Sequence, residues 1–221
     1  MASWAQTLEQ HYSIFPEMLR IFPDTVVLGV GFFSLITLSF SYAVFFMSLL
    51  ESLLLFYGLR SANEYLQIIK TPSSLKTNSM ECKSGFSDIT MHTLSMFGAG
   101  AVSGFPSSAL YLTSVASSYV ISSMLSFSAE IQMMGQNTSS KFYTSLVSLL
   151  LLLLSIGLYR LYKSCDTGIN LIASATIGSI IGALLVVQNT KLIGLSSLNL
   201  LGVPILKQRT ADGSTLYVCP S

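Results

Sequence analysis

Three polar pieces of an otherwise apolar chain carry residues that could do chemistry together. They are Lys70, the run Pro106-Ser107-Ser108-Ala109, and the turn from Arg160 through Asp166 to Asn170. A lysine, an arginine and a serine-bearing helix start make an anion site. Free backbone N–H groups and the positive end of a helix favour phosphate there. Facing a headgroup layer, such a site suits a phospholipid head, with Lys70, Ser107, Ser108 and Arg160 as its donors. Metal chemistry is not indicated. Cys82, Cys165 and Cys219 lack metal-ligand spacing, and His11 and His92 are far apart in sequence. No metal and no cofactor are expected.

The elements that must position these residues are membrane helices. The chain has 221 residues, of which 51% are apolar and only 10% charged, where a soluble domain averages about 25% charged. Net charge is +1 without a long run of either sign, so nothing suggests a nucleic-acid partner. The N-terminal stretch lacks the basic region, apolar core and cleavage site of a secretory signal.

Residues 1–24 read as an amphipathic segment with Trp4, Tyr12, Phe15, Leu19 and Phe22 on an interfacial face. From Thr25 to Leu59 the chain is apolar except for Glu51. One helix of that length would run about 52 Å, past a hydrocarbon core of roughly 30 Å. The expectation is a span over 25–49, bending into an interfacial helix that reaches Ile69, with Glu51 at the membrane boundary. Residues 70–90 form a polar loop, and 91–103 are too short to span. Further spans are expected from Pro106–Ser107 to Phe127, over 143–162, and from Ile169 to Gln188. A loop over 129–142 holds the formal glycosylation triplet Asn137-Thr138-Ser139.

The fold class is thus all-α: a polytopic membrane protein of about four transmembrane helices and one or two interfacial or re-entrant helices. The segments are 1–24, a helical domain 25–188 and an extramembrane tail 189–221. Turn signals at Asp212-Gly213 between apolar stretches suit a hairpin in that tail. Four spans put both termini on one side, and loop cations are nearly balanced between the sides, so the positive-inside rule gives no orientation. Cys82 and Cys165 fall on the same side, with their pairing left open. Within the last span, Ser174, Gly178 and Gly182 recur every four residues, the small-residue pattern by which membrane helices pack.

The order of these pieces resembles the type 2 phosphatidic acid phosphatase superfamily, membrane enzymes that hydrolyse lipid phosphates without metal. Gly104-Phe105-Pro106-Ser107-Ser108-Ala109 is similar to its second motif, Pro-Ser-Gly-His at a helix start. Tyr159-Arg160, Asp166 and Asn170 through Ser174 are similar to its third, Ser-Arg, five residues, His, three residues, Asp. Lys70 stands for the lysine of the first. The departures fall on the chemical groups. Asp166 occupies the position of the attacking histidine, Asn170 that of its supporting aspartate, and Ala109 that of the histidine that protonates the leaving group. Thr77-Asn78 stands where Arg-Pro belongs. An activated nucleophile and a general acid each contribute orders of magnitude in rate.

The resemblance therefore implies an inactive relative, a pseudoenzyme that keeps binding parts without chemical ones. The expected function is a structural or scaffolding role in a membrane assembly, with membrane lipids and protein partners around it and an anionic-lipid pocket retained. The internal membrane of a large icosahedral DNA virus is one such setting. The alternatives are an active lipid phosphatase and a transporter or channel component. The second lacks paired mid-span charges and an inverted repeat.

Overall fold

The computed structural model describes residues 2–67, 69, 82, 105–128, 136–200, 205–209 and 215–218. Side chains are described for 18–67, 69, 82, 105–128, 140 and 142–200. Lys70, Lys76, Lys83, His92 and the expected short helix at 91–103 lie outside the described residues, as do the side chains of His11 and Cys219.

The chain is a helical multi-pass membrane protein with a short pair of strands after its last helix. Among the described residues five helices follow in order: α1 Ala2–Thr37, α2 Phe40–Leu66, α3 Ser108–Ser126, α4 Gln136–Tyr162 and α5 Gly168–Leu192. A 3₁₀ turn at Leu195–Leu198 and two short strands, β1 Ile205–Arg209 and β2 Thr215–Val218, complete it. All five helices contain a stretch long and apolar enough to cross a membrane. The strands pair antiparallel, with a register shift between Leu206 and Gln208.

Among the described residues there are five such helices beside the expectation of about four, because the long apolar run breaks at Leu38-Ser39. Leu38 takes a left-handed conformation with φ of 48°, and Ser39, extended at φ −81° and ψ 120°, precedes the first turn of α2. The two helices fold back on each other. The ring of Phe33 meets that of Tyr42 edge-on at 5.2 Å. Gly31 leaves space for the Phe46 ring, which an added Cβ would approach to 2.8 Å. Glu51, expected at a helix end, lies in mid-helix within α2. The N-terminal segment is continuous with α1, and Asn137-Thr138-Ser139 falls inside the start of α4 instead of in a loop.

The core gathers around α3, whose residues from Ser108 to Ser117 are all buried. Leu49, Phe56, Tyr111, Val115, Tyr119, Leu185 and Leu198 form its centre. Helix α4 lies outside; of its described side chains only Ile156 and Arg160 are buried. Leu19 of α1 joins Ala109, Leu110, Ile156 and Leu171 in a second cluster around the first turn of α3.

Helices α3 and α5 run parallel, since Ser107 meets Ser174, Tyr111 and Ser114 meet Gly178, and Val115 and Ser118 meet Gly182. The approach is backbone to backbone. A Cβ on Gly178 would lie 2.6 Å from the Tyr111 carbonyl oxygen, and one on Gly182 2.5 Å from that of Val115. Small residues at such crossings allow the contact that holds membrane helices together. Gly178→Ala and Gly182→Ala are each expected to lower stability by about 1–3 kcal/mol, read as a fall in the thermal transition of the detergent-solubilised protein. Gly29→Ala, with nothing within 4 Å of its added methyl, should hold or raise it by roughly 0.5–1 kcal/mol.

Candidate functional site

The end of α4 aims its arginine. Ser164 is left-handed at φ 56°. The Cys165 N–H donates to the Arg160 carbonyl at 2.9 Å and the Ser164 N–H to that of Leu161 at 3.0 Å. This paired closure is a Schellman motif, made here with serine at the position glycine usually takes. It turns the chain back so that Cys165 and Asp166 return over the turn that carries Arg160. Thr167 then caps α5, its hydroxyl accepting from the Asn170 N–H at 3.3 Å.

Three helix ends thereby converge on one carboxylate. Asp166 Oδ2 accepts from Arg160 Nε in a short ion pair and from Ser107 Oγ at 2.8 Å. Its Oδ1 accepts from Asn170 Nδ2 at 3.1 Å. The Asp166 side chain is 0% exposed and that of Arg160 6%. Ser174 closes the network. Its hydroxyl accepts the Ser107 N–H at 2.8 Å and donates to the Asn170 carbonyl at 2.6 Å. Ser107 sits where a serine normally caps its own helix, but its hydroxyl makes no such bond and turns to Asp166.

The electrostatics favour this placement. Asp166 lies at the positive ends of both α3 and α5, and Arg160 at the negative end of α4, each the stabilising choice. A phosphate would be favoured at the same point. The carboxylate of the chain itself holds that position and takes up the Ser107 hydroxyl, the Arg160 Nε–H and the Asn170 amide.

Of the residues picked out from sequence, Ser107, Arg160, Asp166 and Asn170 meet at this point, with Ser174 joining them beyond its expected packing role. Ala109 and Ser108 are buried nearby in the first turn of α3, and Ala109 packs in the apolar cluster with Leu110 and Ile156. Gly178 and Gly182 lie farther along the α3–α5 contact. Lys70 lies outside the described residues. Among the described residues no group of His, Cys, Asp and Glu could hold a metal ion.

Sequence reasoning left open one feature that covers the site. Cys82 and Cys165 form a disulfide spanning 83 residues of chain. It fixes Cys82 beside the pair, where its carbonyl accepts from Arg160 Nη1 at 3.5 Å. Three cysteines without a spacing signature could not reveal which two would meet. The Schellman turn that lifts Cys165 is equally silent in sequence, because its left-handed residue is serine.

Comparison with protein-family models, with curated proteins and with solved structures finds no match.

Two measurements check the site. Arg160→Ala leaves the buried Asp166 charge without its partner and should cost about 3–5 kcal/mol of stability. Pairing it with Asp166→Ala should recover part of that loss, giving a non-additive double-mutant cycle. Thiol counting on the unreduced, denatured protein should find one reactive cysteine, Cys219, and three after reduction; three before reduction would contradict the disulfide.

Proposed function

We propose that this chain is a non-catalytic membrane protein with a structural, scaffolding role in a membrane assembly, built on a lipid-phosphatase-like arrangement whose anion position is filled from within. The observation that carries this reading is the Asp166 carboxylate. It is fully buried and accepts from Arg160, Ser107 and Asn170. A nucleophile needs an exposed lone pair and a path to phosphorus, and a leaving group needs a proton donor. Asp166 has all its donors and no exposed surface, and Ala109 offers no proton. An external headgroup phosphate would first have to displace Asp166 from two helix ends and an arginine. Left with these contacts, the site ties α3, α4 and α5 together at one end.

Phosphate release from phosphatidate vesicles tests the reading. The purified protein should release no more than its Arg160→Ala variant, and release abolished by that substitution would establish the lipid phosphatase instead. Solubilised from its own membrane in mild detergent, the protein should bring down a stoichiometric protein partner; a chain that comes out with none argues against the scaffold.

A further inference from the structure

The break at Leu38-Ser39 leaves one acid deep in the bundle wall. Glu51 lies roughly 16 Å along α2 from Phe40 at ~1.5 Å per residue, within an apolar run that ends at Arg60. The residue is half-buried, and both of its carboxyl oxygens lie 3.1 Å from the Nε2 of Gln188 on α5, in bonds exposed at the bundle surface. Gln188 is exposed. Behind the pair, Asn189 is buried and donates to Ser48 Oγ at 2.8 Å and to Tyr119 OH at 2.9 Å, so the interior needs nothing from Glu51. The pair faces outward. Around it stand Met47, Leu54 and Leu55 on α2 and Leu184 and Val187 on α5, all exposed.

That position is unfavourable in hydrocarbon. Ionisable side chains within membrane helices almost always face a bundle interior or a water-filled cavity, and polar side chains left toward lipid draw helices together by bonding across the contact. In a single chain the one amide nitrogen of Gln188 serves both carboxyl oxygens, which leaves acceptor capacity on Glu51 and on the amide oxygen of Gln188 for a further partner. The two groups are a donor and an acceptor side by side. A two-fold axis through the patch would set the Gln188 amide of each copy against the Glu51 carboxyl of the other, the self-complementarity that a two-fold interface requires.

We infer that the outer face of α2 and α5 centred on Glu51 and Gln188 is the interface of a homodimer within the membrane. The apolar residues around the pair pack against their equivalents, and the amide–carboxyl bonds exchange across the axis. This inference rests on the α2–α5 face alone and does not depend on the lack of catalysis at Asp166.

The purified full-length protein, reconstituted in liposomes over a range of protein-to-lipid ratios, is counted by single-molecule photobleaching. The wild type should show two steps per spot. Glu51→Leu and Gln188→Leu should each weaken the dimer roughly 5- to 30-fold, with the disulfide intact by thiol counting as a sign of folding. Glu51→Gln, which keeps a side-chain acceptor for the amide, should retain most of it. In an otherwise native Cys219→Ser background, Leu54→Cys should cross-link to a dimer with a short bis-maleimide, whereas Leu154→Cys, exposed on α4, should not. A wild type that stays monomeric at every ratio overturns the proposal. So does a dimer indifferent to both leucine substitutions, or one that cross-links through Leu154→Cys and not through Leu54→Cys.

Discussion

Two parallel helices packed backbone to backbone are the constraint on which the structure depends. Gly178 and Gly182 let α5 press against the carbonyls of Tyr111 and Val115, and parallel packing in that register sets the N-terminus of α3 beside Ser174, about two turns along from that of α5. Each N-terminus carries the equivalent of about half a positive charge, so the pair calls for an anion. Asp166 supplies it, one residue before the cap of α5. Arg160 then balances the buried carboxylate, and the Cys82–Cys165 bond holds a carbonyl over the arginine. The polar end of the bundle is in this sense a consequence of its apolar middle.

The same economy runs through the rest of the interior. Serines and threonines along the helices donate back to the carbonyl one turn earlier, as Ser48 does to Val44, Thr113 to Ala109 and Thr190 to Val186. Between helices, Tyr111 OH donates to the Ser52 carbonyl, Ser118 Oγ to that of Ser179, and Asn189 bridges Ser48 and Tyr119. Where no water enters, an unmade bond is costly, and the serine-rich face of α3 meets that demand. Ser114 is the exception among the described side chains. Its hydroxyl is buried without a partner, while its Cβ lies where one added to Gly178 would come within 3.0 Å.

How much was legible in the chain follows from which forces leave a mark on composition. Pro106-Ser107 announces the start of α3, Arg160 the end of α4, and the glycine period the contact of α5, because each is a residue type tied to a local demand. The hairpin around Asp212-Gly213 is legible for the same reason. The break at Leu38-Ser39 is not, since no proline or glycine marks it; it is imposed by a run too long for the bilayer and by the fit of Phe46 against Gly31, a contact between distant turns. The approach of Ser107 and Asp166 could be guessed only by likeness to a motif order. That Ser107 donates to Asp166 instead of capping its own helix, and that Ser174 links both, depends on a tertiary arrangement no local pattern encodes.

The parallel pairing of α3 with α5 also sets an order in time. Helix α4 must cross back between them, so α3 enters the membrane before its partner exists. Through that interval Ser107 has neither Asp166 nor Ser174, and Cys82 waits for a thiol 83 residues downstream. A ribosome releasing the chain N-terminus first makes the mate of α3 last among the helices. The bonds that Ser107 makes thus wait for residues well downstream. A chain cut short before α5 keeps Ser107, Arg160 and Asp166 but lacks the Asn170 amide and the Ser174 hydroxyl that complete the network.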